Sequence, residues 1–221
     1  IRTASPSIAL SPVLDKDPGY DAQRDVVAIA RLASIENVMV VHPSVPVKTL
    51  RQFIELARKQ PGKLNYGSGG AGTTNHLANE LLKSLENLNI VHVPYKGATV
   101  ATVALMGGEV DQVVVSVASI LPQIRAGKLR PIVVLSEKRV PTLPDVPTSA
   151  EAGLKEFRMS IWFGLLGPAK MPQDIIARLN QESLKALASA DLQQRFAGAG
   201  VDPWPGTPEQ MDQLIRSETA R

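Results

Sequence analysis

The stretch Tyr66-Gly67-Ser68-Gly69-Gly70-Ala71-Gly72-Thr73-Thr74-Asn75-His76-Leu77 gathers residue types suited to holding an anion. Glycines let a backbone approach a ligand closely and adopt φ > 0. A helix starting at the end of such a loop offers unpaired N–H groups and the positive end of its dipole. Ser68, Thr73 and Thr74 add hydroxyl donors. The predicted chemistry is recognition of a carboxylate or phosphate by a neutral cradle.

Two sharper chemistries compete for the same residues. Gly67, Gly69 and Gly72 match the G-x-G-x-x-G dinucleotide fingerprint, which also wants an acid about twenty residues on, after the next strand. That strand ends Pro94-Tyr95-Lys96-Gly97, with no acid, and the preceding Lys63-Leu64-Asn65-Tyr66 is short and polar for a buried central strand. A Ser68/His76 hydrolase pair lacks a third member, and a nucleophile elbow needs glycine where Tyr66 stands. His42, His76 and His92 show no metal spacing. His92, between Val91 and Val93, reads as a packed strand residue, and His76 as a hydrogen-bonding support for the loop. Glu109 and Asp111 read as a turn with a solvated rim. No convincing acid–base pair or metal site is visible, and a dinucleotide-dependent oxidoreductase using the Gly67–Gly72 loop stays open as the alternative to an anion-binding protein.

The elements that must position this loop alternate. Short apolar or β-branched runs predict strands at residues 26–33, 37–41, 64–66, 90–95, 110–117, 129–136 and 159–166. Helices are predicted after Thr49, with Leu50, Phe53, Ile54 and Ala57 on one face, and at residues 74–84 and 98–106. A brief helix capped by Ser119 ends at Gly127, and Thr148 to Glu151 forms a capping box for another. Further helices follow Pro172, with Ile175, Ile176, Leu179 and Leu187 periodic, then carry Leu192 and Phe196, then open at Thr207-Pro208-Glu209-Gln210. Strand–helix alternation predicts an α/β fold with mostly parallel strands.

Composition narrows the classes. The 221 residues suffice for one large domain or two small lobes. No apolar run reaches the roughly 18 residues of a membrane span. Lys and Arg do not cluster and aromatics are 4%, which argues against nucleic acid as a partner. The net charge of +3 mildly favours anionic ligands. Without cysteine there are no disulfides, thiolate catalysis or cysteine metal sites. The opening Ile1-Arg2-Thr3-Ala4-Ser5 has no signal-peptide pattern and reads like a strand running into a polar loop, so the protein is expected to begin earlier.

Several segments carry a resemblance in their order and spacing. They are Pro61-Gly62-Lys63-Leu64, the glycine loop with His76-Leu77 and Glu80-Leu81, and Val91-His92-Val93-Pro94-Tyr95-Lys96-Gly97. Then come Gly107-Gly108-Glu109-Val110-Asp111, Ala126-Gly127-Lys128-Leu129-Arg130, Leu143-Pro144-Asp145-Val146-Pro147-Thr148, Glu151-Ala152-Gly153 and Trp162-Phe163-Gly164-Leu165-Leu166. Nearly end to end, the chain resembles the substrate-binding receptors of tripartite tricarboxylate transporters, of the Bug/TctC type.

The resemblance implies a two-lobed periplasmic-binding-protein fold (Venus-flytrap, type II) joined by crossing strands. It implies a periplasmic, monomeric receptor, not an enzyme and without a cofactor, that closes on a small organic carboxylate and delivers it to a two-subunit membrane transporter; a flytrap ligand sensor in a regulatory pathway is the alternative. The lobes expected are residues 1–36 with 137–221, and 37–136. The first lobe would lack its N-terminal strand, loop and helix, leaving Thr3, Ser5 and Ser7 as its cleft residues. The anion cradle would be Ser68, Gly70, Gly72 and Thr73. Ser116 and Ser119 would face the cleft, and Ser160 and Phe163 would contribute from the other lobe or hinge. Many members carry Asp where this chain has Val115, so an amino-acid ligand is not expected.

Overall fold

In the computed structural model, which describes residues 2–4, 21 and 24–220, the first two strands are β1 (Arg2–Ala4) and β2 (Val26–Val41). β2 runs 16 residues where two strands were predicted. The reason lies in its partners. Ser34 pairs with Asp202 and Asn37 with Ser116, so only Ile35 and Glu36 lie between the two ladders. A β-branched Ile35 suits the extended chain between them.

The chain forms two compact units, Ile1–Ile35 with Ile161–Arg221, and Glu36–Ser160. The boundary expected after residue 136 therefore falls at 160. Residues 137–160 group with the second unit because they bury into it. Val134 N–H donates to Pro147 O and Ser149 N–H to Val134 O, each at 2.9 Å. Val140, Leu143 and Val146 enter one of that unit's cores, and Leu154 and Phe157 enter the other.

The second unit contains α1 (Leu50–Lys59), β3 (Asn65–Ser68), α2 (Thr74–Glu86), β4 (Val91–Pro94), α3 (Ala98–Met106), β5 (Gln112–Ser116), α4 (Val117–Arg125) and β6 (Arg130–Val134). Its strands lie in the order β6-β2-β5-β3-β4. β3 is parallel to β4 and to β5, while β2 is antiparallel to β5 and β6. The period of two sends alternate residues to opposite faces. Met39, Val41 and Val114 bury against α1 and α2 through Phe53, Ala78 and Leu82. Val38, Val40, Val113 and Val115 bury against α3 and α4 through Leu105 and Ile120. Burying each large side chain in these layers contributes about 1.5–3 kcal/mol. Thr49 caps α1 by accepting from Gln52 N–H at 3.2 Å, a bond worth about 1 kcal/mol.

In the first unit β1 runs antiparallel to β7 (Ser160–Pro168), β7 lies beside β2, and β8 (Asp202–Gly206) is antiparallel to β2. Helices α5 (Gln173–Ala188), α6 (Ala190–Ala199) and α7 (Pro208–Ala220) complete it. Its apolar clusters are small: Ala28, Trp162, Leu166, Met211 and Ile215 form one, and Ile29, Ala30 and Ile176 the other. On α5 the inward stripe is Ile176, Asn180 and Leu187, while Ile175 and Leu179 face outward, against the predicted apolar face. Asn180 takes the core position because its Nδ2 donates to Ile29 O at 2.9 Å and Gly206 O at 3.1 Å. Among the described residues, no helix is long and apolar enough to cross a membrane.

Candidate anion-binding edge

In the second unit β3, β4 and β5 each lead into a helix at one edge of the sheet, the carboxyl edge of the parallel strands. β3 and β5 are neighbours, yet α2 packs on one face and α4 on the other. Such a reversal opens a crevice at the carboxyl ends of the two strands, where open α/β sheets bind ligands. Two helix N-termini border it. The first-turn amides of Thr74, Asn75 and His76 in α2, and of Val117, Ala118 and Ser119 in α4, have no protein acceptor among the described residues. Both dipoles favour an anion there.

The loop before α2 is fastened from within. Ser68 is fully buried, and its Oγ shares a 2.6 Å hydrogen bond with His92 Nε2 while accepting from Gly70 N–H at 3.1 Å. Gly72 N–H donates to His76 Nδ1 at 3.3 Å, and Thr73 Oγ1 donates to Gly70 O at 2.6 Å. Gly69 N–H donates to Asn75 Oδ1 at 3.2 Å. Thus the amides of Gly69, Gly70 and Gly72 serve the loop itself, and the open donors are those of the helix turn that follows. Gly69 is glycine for space: a Cβ there would lie 2.8 Å from the backbone nitrogen of Ala98. Gly72 is glycine for conformation, at φ +76°.

Aromatic rings and one carboxylate support the loop from below. His92 lies against the ring of Tyr66, 4.8 Å between centroids, and that of His76, 4.5 Å. Burial, then the neighbouring His76, holds His92 below the ordinary histidine value of 6.5, so the neutral ring is favoured. Tyr66 donates its hydroxyl to Glu80 Oε1 at 2.6 Å, and burial followed by that carboxylate pushes its own ionisation well above the usual range. Burial opposes the charge on Glu80, but Lys83, 2.7 Å away, and the Tyr66 hydroxyl hold it below the usual carboxylate range.

The turn before α4 is simpler. Ser116 occupies the N-cap, so Ser119 lies inside the first turn rather than capping it as predicted. Ser116 Oγ donates to Ser119 Oγ, and Ser119 Oγ to Ser116 O, both at 2.9 Å. Ser119 is exposed. Val115 points into the α3–α4 core and is nearly fully buried.

Gly70, Gly72, Thr73, Ser116 and Ser119 therefore share one edge, and Ser68 supports it from inside. The predicted hydroxyl donor Ser68 is turned away from solvent, as its bond to His92 requires. Ser160 ends the unit beside the same edge: Met159 N–H donates to Leu135 O at 3.1 Å, and Met159 O accepts from Asn37 Nδ2 at 2.8 Å. Phe163 belongs to the other unit, half-buried and opposite Ala4. Ser5 and Ser7 lie outside the described residues. The Ser68/His76 pair does not form, since Ser68 meets His92 instead. Gly67 of the dinucleotide pattern lies inside β3, where a Cβ would meet the side chains of Ala101, Val110 and Val113 at 3.3 Å. Among the described residues no group of three or more His, Asp or Glu is placed to hold a metal.

Residues 1–221 match the family model described as the tripartite tricarboxylate transporter family receptor. The chain belongs to that family. It is 38% identical over 203 residues to a UPF0065 protein of the tcbD-tcbE intergenic region in Pseudomonas sp. strain P51, covering 91% of this chain and 60% of that protein. The chain thus spans about 60% of the length of the first curated relatives it matches. Among solved structures it resembles R. palustris Rpa4515 with adipate, at TM-score 0.86 and 31% identity, covering all of this chain and 74% of that one. It also resembles MatC from Rhodopseudomonas palustris with bound malate, at TM-score 0.83 and 28% identity, covering 100% and 76%. The chain has the mixed α/β fold of periplasmic solute-binding proteins.

Sequence reasoning passed over Asn75, Asn79 and Gln112, which tie α2 to β5, and the pairing of Ser68 with His92. A signal existed for the amides. Asn75 and Asn79 stand four apart on the stripe that carries Ala78 and Leu82, and Gln112 interrupts an apolar strand.

Proposed function

We propose that this receptor binds a small organic carboxylate in the periplasm without transforming it and hands it to a membrane transporter of the tripartite type. The observation that carries the reading is the pair of helix N-termini, α2 and α4, bordering the crevice between β3 and β5 with their first-turn amides open. Backbone N–H groups and a dipole recognise carboxylate charge without a buried cation, and so without the desolvation cost of a buried ion pair. Adipate in Rpa4515 and malate in MatC support the ligand class. The first-turn amides of α2 and α4, with Ser116 and Ser119, are the proposed contacts, and Ser68, Gly70, Gly72 and Thr73 are proposed as the support that holds the α2 turn in place. Ser160, the last residue of the same unit, is proposed as a further contributor, and no amino-acid ligand is proposed because Val115 is a core residue.

A thermal-shift screen against adipate, malate, citrate, benzoate, NAD(H) and NADP(H) tests this. A carboxylate at a hundredfold its Kd contributes about 2.7 kcal/mol and raises the midpoint by several degrees. A response to nucleotides alone would replace the receptor reading with a dinucleotide-dependent one.

A further inference from the structure

We infer that Asn75 is a positioning residue, which sets α2's N-terminus against β5 through a chain of buried amides and so fixes the spacing of the two anion-binding helix turns. This rests on the carboxylate reading above. Asn75 joins three pieces of the edge. Its Oδ1 accepts from Gly69 N–H in the loop at 3.2 Å, and its Nδ2 donates to Val114 O on β5 at 3.1 Å. Its backbone carbonyl accepts from Asn79 Nδ2 at 2.8 Å, and Asn79 Oδ1 in turn accepts from Gln112 Nε2.

The seam between α2 and β5 is an unexpected place for this chain. Asn79 is 1% exposed and Gln112 0%, amid Ala78, Leu82 and Val114. An apolar seam would avoid the desolvation that buried amides suffer. Gln112 Oε1 even lies buried without a partner. Apolar contacts tolerate a helix sliding by a fraction of a turn, whereas directed bonds to Val114 O and Gly69 N–H do not. Val114 is two residues before Ser116, the N-cap of α4. A single side chain thus links the glycine loop, the first turn of α2 and the strand that delivers α4.

The test uses the full chain with Asn75→Ala, Asn75→Asp and Asn79→Ala. Amide hydrogen exchange is read at Gly69 and at Met39–Val41, with titrations of adipate and malate. Asn75→Ala should speed exchange at Gly69 at least tenfold and weaken the bound carboxylate at least tenfold, leaving Met39–Val41 unchanged. Asn75→Asp keeps the acceptor for Gly69 but puts a carboxylate against Val114 O. It should leave Gly69 protected and still weaken binding, and it serves if the alanine variant fails to fold. Asn79→Ala should fall between wild type and Asn75→Ala. Unchanged exchange at Gly69 in Asn75→Ala, or equal acceleration at Met39–Val41, would overturn the inference. If wild type takes neither adipate nor malate, the reading of those ligands fails while the exchange data still decide the role of Asn75.

Discussion

The loop before α2 is held by Ser68, Asn75, His76 and His92, with Tyr66 and Glu80 behind them, whereas the turn before α4 is held by Ser116 and Ser119 alone. Both present open amides to one crevice, yet one is a built cradle and the other a bare helix end. The difference follows from surroundings. The first loop spans residues 69–73 and abuts the backbone of Gly97 and Ala98, so its path needs fastening. The second has no loop at all, since β5 ends at Ser116 and α4 begins at Val117. A preformed donor set binds without an ordering cost. The expectation is therefore that the α2 side carries most of the affinity and the α4 side adjusts to the ligand.

The hardest blow to that contrast is Gly69→Ala. Its Cβ would meet Ala98 N, a backbone atom, and the loop must move. We expect a cost of about 1–3 kcal/mol and loss of carboxylate binding, read by denaturant unfolding and calorimetric titration. Full retention of affinity would show that the loop's path is irrelevant to the ligand.

Ser68→Ala comes next. It removes the partner of His92 Nε2 and of Gly70 N–H in a fully buried place, for about 1–3 kcal/mol of stability. Affinity should fall with it, although Ser68 touches no ligand in this reading.

Acid should sharpen the contrast on the α2 side only. Since His92 has a lowered value in the folded state, the unfolded chain binds more protons below the ordinary value of 6.5. The His92 contribution is present above that pH and is lost as pH falls from 6.5 toward the folded value. Thermal midpoints from pH 8 to 5 should drop less in His92→Gln than in wild type. Parallel curves would exclude His92 as the group responsible.

Ser119→Ala should do least. The residue is exposed and bonds only within its own turn, so stability should move by less than about 0.5 kcal/mol. A loss of binding as large as that of Ser68→Ala would invert the ranking of the two turns.

Much of the scaffold was legible in residue order. The helix at Ala98–Met106 was predicted to the residue, and the Thr207 cap with Gln210 forms as its spacing implies. The glycine loop was recognisable because few other backbones need so many small residues between a strand and a helix. His76 was read correctly as a support for that loop. The missed features share a cause. Ser68 and His92 are 24 residues apart, and Asn79 and Gln112 are 33 apart, so nothing local marks them as partners. Likewise residues 137–160 look like the start of a new segment, because their prolines hide the apolar side chains that return to the second unit.

Sequence by itself determined the alternation of strands and helices, the neutral anion-suited loop and the family, because each is written in local composition and short spacing. Only the tertiary structure decided which donors stay open. Gly69, Gly70 and Gly72 carry the amides that sequence points to, but their N–H groups turn inward to Asn75, Ser68 and His76. The first turns of α2 and α4 remain available because a helix cannot bond its own leading amides. That these two turns face one crevice depends on β3 and β5 pairing side by side with their helices on opposite faces, a choice made by packing.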